Sequence, residues 1–308
     1  MKESKDSSGP GPGIGSNRFL LRLARGPIVS SGAVGTLIQD RGLTPGETSE
    51  IWNLRRPQEV AAIYRSFYQA GAELIGTNTF GANRIKLKRF GLADQAYQLN
   101  RRGAEIARQA LPPSCFIFGS AGPTGELLAP LGPLTDEEVY QAFREQSLAL
   151  AEGGVDVICF RTMSDLREIL LAIRAAKENT DLPVIATLSF SLGQRGYRTM
   201  MGVAPATAIS ELRQAGAEVV GANCGQGMEE MVGLMREMRE LDSGYLAAQP
   251  NAGRPELVEG RTVYAQSPED FAARVPELLY LGIQIIGGCC GAGPEHIRRL
   301  ARAVEAAG

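Results

Sequence analysis

Apolar runs of strand length recur along the chain with room for a helix between each pair. They are PIVSSGAV (27–34), ELIGTNTF (73–80), CFIFGSAG (115–122), VDVICFRT (155–162), PVIATLSF (183–190), EVVGANC (218–224), YLAAQPN (245–251) and IQIIGGCC (283–290). The intervening stretches place apolar residues three and four positions apart, as in PQEVAAIYRSFYQAG (57–71), DEEVYQAFREQSLALAEGG (136–154) and SPEDFAARVPELLYLG (267–282). That period marks a helix with one buried face. In QAGAEL, EGGVDV, QAGAEV and YLGIQI a glycine stops the helix and the next strand follows at once. Eight alternations of strand and helix predict an α/β fold with parallel strands, and at this length a single closed (β/α)8 TIM barrel. An open doubly wound sheet is the competing topology. It usually carries a glycine-rich phosphate turn after its first strand, and GAVGT fits that pattern poorly.

In a barrel of this kind the chemistry collects where the strands end. Those ends read Ser30-Ser31, Thr77-Asn78-Thr79, Gly122-Pro123-Thr124, Arg161-Thr162, Ser189, Asn223-Cys224, Asn251 and Cys289-Cys290. Cys224, Cys289 and Cys290 therefore share one face. Adjacent cysteines rarely bridge to each other, because a disulfide wants Cα atoms roughly 5.5 Å apart in a geometry that neighbours do not easily reach. A shared metal is the better reading. Three thiolates suit a zinc site of the catalytic kind, with three protein ligands and one exchangeable position that a substrate sulfur can take. A purely structural zinc, or buried free thiols, are the alternatives. Cys115 and Cys159 sit earlier in their strands and read as packing residues. His296, the single histidine, reads as an ordinary helix residue beside the cysteine turn. Asn78, Thr79, Gly122 and Thr124 offer neutral hydrogen bonds to the polar end of a substrate.

The 308 residues carry a formal net charge of −2, which argues against a nucleic-acid or anionic-membrane partner. No apolar run is long enough for a membrane span. Residues 1–18, MKESKDSSGPGPGIGSNR, mix Gly, Ser, Pro and charge without an apolar centre; they are expected to be a disordered tail before a barrel domain over 19–308. Five cysteines without a secretory signal point to a cytoplasmic location, where clustered thiols serve as ligands or nucleophiles.

The segments GAVGT, GTNTFGANRIKL, GPTGELLAPLG, GANCGQG, QPNAGRPELVEGRTVY and GGCCGAGPEHI, in that order, resemble the homocysteine S-methyltransferase family. The likeness is greatest to the homocysteine-binding module of cobalamin-dependent methionine synthase, and it runs from about residue 27 to 305. It implies a zinc-dependent S-methyltransferase whose metal ligands are Cys224, Cys289 and Cys290, the site already reached from the strand ends. It further implies that Asn251 holds the metal's vacant position, and that the substrate pocket includes Ser31, Gly32, Ala33, Asn78, Thr79 and Arg161. The methyl donor it implies is a separate corrinoid protein, since the chain has no room beside its barrel for folate, cobalamin or activation modules. A methylated small molecule is the other candidate donor.

Two positions depart from the family pattern. Members that methylate homocysteine usually end the first strand in an Asp before Gly-Ala and the fourth in a Glu before Thr, and these carboxylates hold the substrate's ammonium. Here the positions are Ser31 and Arg161. A like-charge contact near 4 Å costs about 4 kcal/mol at an effective dielectric of ~20, so an Arg161 facing the pocket would repel homocysteine and favour a small thiol with an acidic tail. Pairing of Arg161 with Asp165 or Glu126 would instead leave the site neutral. The remaining readings are an ordinary methionine-forming homocysteine S-methyltransferase and a non-catalytic barrel that binds zinc or thiol.

Overall fold

The computed structural model describes residues 17–258 and 261–307. All eight predicted strands are present, each shorter than its apolar run. They are β1 (Ile28–Val29), β2 (Leu74–Gly76), β3 (Phe116–Ala121), β4 (Val157–Met163), β5 (Val184–Leu188), β6 (Val219–Asn223), β7 (Tyr245–Gln249) and β8 (Ile285–Ile286). Each strand pairs in parallel with its neighbours in chain order, and β8 pairs with β1. The circle closes at β1 and β2 through a bridge between Ser30 and Leu74, where Ser31 N donates to Leu74 O at 2.8 Å and Glu73 N to Val29 O at 2.9 Å. The topology is the predicted barrel, not an open sheet.

The glycines read as helix stops behave as such: Gly71, Gly154, Gly216 and Gly282 take φ of 99°, 89°, 94° and 66°, a region that penalises a Cβ. The segment expected as one helix over 267–282 is two, Pro268–Ala273 and Val275–Tyr280. Pro276 has no N–H to continue the first, so the chain breaks and restarts there. Of the expected tail, residues 1–16 lie outside the described residues. Its last two are ordered: Asn17 caps the helix Arg18–Leu23 by accepting from Phe19 N and Leu20 N.

Side chains alternate along each strand, and the inward set forms a core of its own. Leu74, Phe118, Val157, Cys159, Ile185 and Ala247 fill the barrel, and Phe19, Leu20 and Leu23 of the first helix close its N-terminal end. A larger apolar layer lies between strands and helices. Apolar filling stops short of the C-terminal ends, where inward positions become Ser120, Arg161, Thr187, Asn223 and Gln249, all buried. Two antiparallel hairpins that the strand reading missed rise at this end. One pairs Phe190–Gly193 with Gly196–Thr199 after β5; the other pairs Pro255–Val258 with Arg261–Tyr264 after β7. Among the described residues no helix is long and apolar enough to cross a membrane.

Candidate metal centre and substrate cavity

Three sulfurs from distant parts of the chain meet above the barrel. Cys224 follows β6, Cys289 and Cys290 follow β8, and their Sγ atoms all lie within 4.8 Å of one another. Cys224 Sγ and Cys290 Sγ are 3.9 Å apart and no cysteine is in a disulfide. Two sulfurs bound tetrahedrally to zinc at about 2.3 Å would stand about 3.8 Å apart, so the spacing suits one shared ion. Backbone bonds fix the cluster. Cys289 N donates to Pro250 O at 2.7 Å, Ala252 N to Cys290 O at 2.9 Å and Cys224 N to Gln249 O at 3.0 Å. The chain after β7 is therefore tied to both cysteine segments. Asn251 lies within it, and its Oδ1 is buried without a hydrogen-bond partner. An oxygen of that kind fits a fourth ligand position.

Asn223, named among the strand ends but given no role by the sequence reading, organises the cluster. Its Oδ1 accepts from Thr162 N and Thr187 Oγ1, each at 2.7 Å, and its Nδ2 donates to Thr162 Oγ1 at 2.7 Å and Cys289 Sγ at 3.5 Å. Thr162 and Cys224 both have φ of 61°, the two non-glycine residues with positive φ among those described. A β-branched residue there is strained. The paired bonds from Asn223 hold Thr162 in place. Asn223→Ala would leave the part-buried Thr162 N–H and the buried Thr187 hydroxyl without their acceptor, and a loss of roughly 2–4 kcal/mol is expected. Urea unfolding of the metal-free proteins measures it; a change under about 1 kcal/mol would mean that Asn223 is not the tie described.

Hydrogen bonds from Cys224 and Cys290 hold the Cys289 thiol well below its ordinary range, against its burial, with the Arg161 charge and the Asn223 amide adding to the effect. Cys224 is pushed up by the same bond to Cys289. Burial pushes Cys159 and Cys115 up to about 12 each, as expected of packing residues. His296 is removed from the sulfurs: its Nε2 bonds Gln266 O at 3.0 Å and its ring packs edge-on to Phe271.

A cavity of about 540 Å³ opens beside the cluster, lined in part by Gly32, Ala33, Asn78, Arg161, Cys224, Tyr264, Cys289 and Cys290. Four of the predicted pocket residues, Gly32, Ala33, Asn78 and Arg161, are on its wall. Ser31 and Thr79 are not, which corrects their expected contact with substrate. The Ser31 hydroxyl is fully buried and accepts from Gly76 N at 3.1 Å, and Thr79 Oγ1 donates to Ser120 O at 2.8 Å; both are spent on joining strands. Thr124 is likewise occupied, bonding Glu168 through N at 2.8 Å and Oγ1 at 2.6 Å. Asn78 is partly committed, its Nδ2 donating to Ser49 O at 2.8 Å and Asn53 Oδ1 at 3.0 Å. Tyr264, from the second hairpin, was missed. Its signal in the sequence was the short alternating run RTVY after a glycine.

The family profile described as homocysteine S-methyltransferase matches residues 28–304. Methionine synthase of Mycobacterium leprae (strain TN) is 30% identical over 304 residues, covering 93% of this chain and 25% of that protein. Methionine synthase of Mycobacterium tuberculosis (strain ATCC 25618 / H37Rv) is 29% identical over 300 residues, covering 92% and 25%. The chain thus spans about a quarter of the length of these curated relatives. Among solved structures, the metallated form of the homocysteine methyltransferase MmuM from Escherichia coli aligns with a TM-score of 0.76 at 21% identity, over 92% of this chain and 98% of that one. Its oxidized form aligns with a TM-score of 0.73 at 21% identity, over 90% and 95%. At such identity the likeness is one of fold.

Proposed function

This chain belongs to the homocysteine S-methyltransferase family, and from that we infer that it is a zinc-dependent S-methyltransferase moving a methyl group between a small thiol and a donor. The observation that carries the reading is the meeting of three sulfurs on the wall of one cavity. Cys224, Cys289 and Cys290 would hold the zinc, with Asn251 Oδ1 in the fourth place until a thiol arrives. Bound zinc supplies a Lewis acid that keeps a substrate thiol ionised at neutral pH, where a free thiol of pKa about 8.5 is mostly protonated.

The protein's own groups do the positioning. Asn223 and the backbone bonds at 250–252 fix the sulfurs, while Gly32, Ala33 and Asn78 wall the space above them. The thiolate attacks the donor's methyl carbon; a carbon–sulfur bond forms, and the pair of the breaking bond stays with the donor. The donor is a methylcorrinoid, a reading that the likeness to methionine synthase supports, and a reducing cytoplasm would keep the three thiols free. The acceptor departs from homocysteine, because Ser31 and Arg161 replace the carboxylates that would hold its ammonium.

The trial is methyl transfer from methylcobalamin to a panel of small thiols, followed in the visible spectrum. Zinc-loaded protein is expected to demethylate the corrinoid only with thiol present, and Cys289→Ser not at all. Equal rates with both proteins would refute the assignment.

A further inference from the structure

Arg161 is 7% exposed, on the cavity wall with all three clustered cysteines, and it meets no carboxylate among the described residues. The acids that were its candidate partners are engaged elsewhere. Asp165 caps the helix Leu166–Asn179 by accepting from Arg167 N at 2.8 Å and Glu168 N at 3.4 Å, and Glu126 pairs with Arg89 at 2.8 Å. Glu168 accepts from Thr124. What remains to the guanidinium is the Phe118 ring, 5.6 Å from centre to centroid, and the sulfurs. Three thiolates around one Zn²⁺ would leave a single negative charge to offset this buried cation, and an anionic group bound directly to the guanidinium would offset it further.

Resting on the methyltransferase reading above, we propose that Arg161 determines specificity in this cavity, and that the thiol it selects carries one anionic tail, a carboxylate or sulfonate, with no ammonium beside it. The planar guanidinium grips such a group through two parallel hydrogen bonds. Among the described residues no carboxylate lies deep in the cavity: Ser31, behind its wall, is a neutral hydroxyl already bonded to Gly76 N, and Asp40, the one carboxylate among the lining residues, is exposed at the end of the helix Val34–Asp40. A zwitterionic amino-acid thiol would set its ammonium against Arg161 with no buried acid to receive it.

Calorimetric titration of zinc-loaded protein with 3-mercaptopropionate, 2-mercaptoethanol and cysteamine tests this, since the three probes differ mainly in tail charge. The wild type is expected to bind 3-mercaptopropionate at least tenfold more tightly than 2-mercaptoethanol, and cysteamine most weakly. In Arg161→Gln that preference should vanish, the ratio of 3-mercaptopropionate to 2-mercaptoethanol affinity falling to about one. Arg161→Lys, which keeps the charge without the fork, should retain part of the preference. If Arg161→Gln weakens all three thiols alike, or homocysteine binds the wild type as tightly as 3-mercaptopropionate, the proposal is wrong while the methyltransferase reading stands. Absence of any thiol binding, or binding unchanged in Cys289→Ser, overturns both.

Discussion

Cys289→Ser is expected to release the metal and abolish methyl transfer, the largest effect of any single change in this protein. Cys289 is the sulfur on which the surroundings converge: its N–H is held by Pro250 O, its Sγ receives the Asn223 amide, and the bonds from Cys224 and Cys290 favour its thiolate. Serine keeps the size but is a hydroxyl that does not ionise near neutral pH. With two thiolates left, affinity should fall more than the 10- to 100-fold, roughly, that follows loss of a group merely supporting a ligand. Elemental analysis after dialysis is expected to find about one zinc per wild-type chain and almost none in the variant. Cys159→Ala is the matching control. Its sulfur lies in the barrel interior, pushed up to about 12 by burial, so this variant should keep its metal and lose only packing. A Cys289→Ser protein that retained full zinc would show that the ion sits elsewhere.

The second large effect is structural and reaches the same site. A Cβ on Gly32 would overlap the carbonyl oxygen of Ala292, at a separation that real Cβ atoms do not show, and would press on the Phe67 ring at 3.2 Å. The oxygen is backbone and already accepts from Ala33 N at 3.2 Å, so it has nowhere to go without moving the turn Cys289–Ala292. That turn places two of the three sulfurs. Gly32→Ala is accordingly expected to cost about 2–4 kcal/mol of stability, in the range of overpacking against fixed neighbours, and to lower zinc occupancy with it. Gly35→Ala, three residues on, meets nothing within 4 Å and sits in a helix, so it should be neutral or stabilising by up to about 1 kcal/mol. Urea unfolding of both variants with metal analysis alongside checks the pair. A Gly32→Ala protein as stable and as well metallated as the wild type would mean that the close approach does not position the turn.

Much of this was legible in the sequence because two periods carry it. Runs such as VIATL and VVGAN, buried at every position, announce strands covered on both faces, and glycines with positive φ mark where each helix ends. The cysteine cluster followed from knowing that strand ends share a face. Alternation of two also contained the direction of Arg161, since Val157 and Cys159 of the same strand point inward beneath it. What the sequence did not yield depends on which polar groups are already spent. Ser31, Thr79 and Thr124 look like binding groups in one dimension, yet each is consumed in joining neighbouring segments. Asn223 shows the reverse: it stands beside a ligand and reads as its neighbour, while its four bonds to Thr162, Thr187 and Cys289 span residues up to 66 positions away. Tyr264 was hidden because its hairpin is short, with Leu257 and Val263 exposed, so no apolar run signals it.

X-ray absorption at the zinc edge reads directly whether Cys224, Cys289 and Cys290 share one ion and leave it an open place. The expected spectrum of the thiol-free protein fits three sulfurs at about 2.3 Å and one lighter ligand, and becomes four sulfurs on saturation with 3-mercaptopropionate. Fewer than three sulfurs, or a coordination shell unchanged by the thiol, would contradict it.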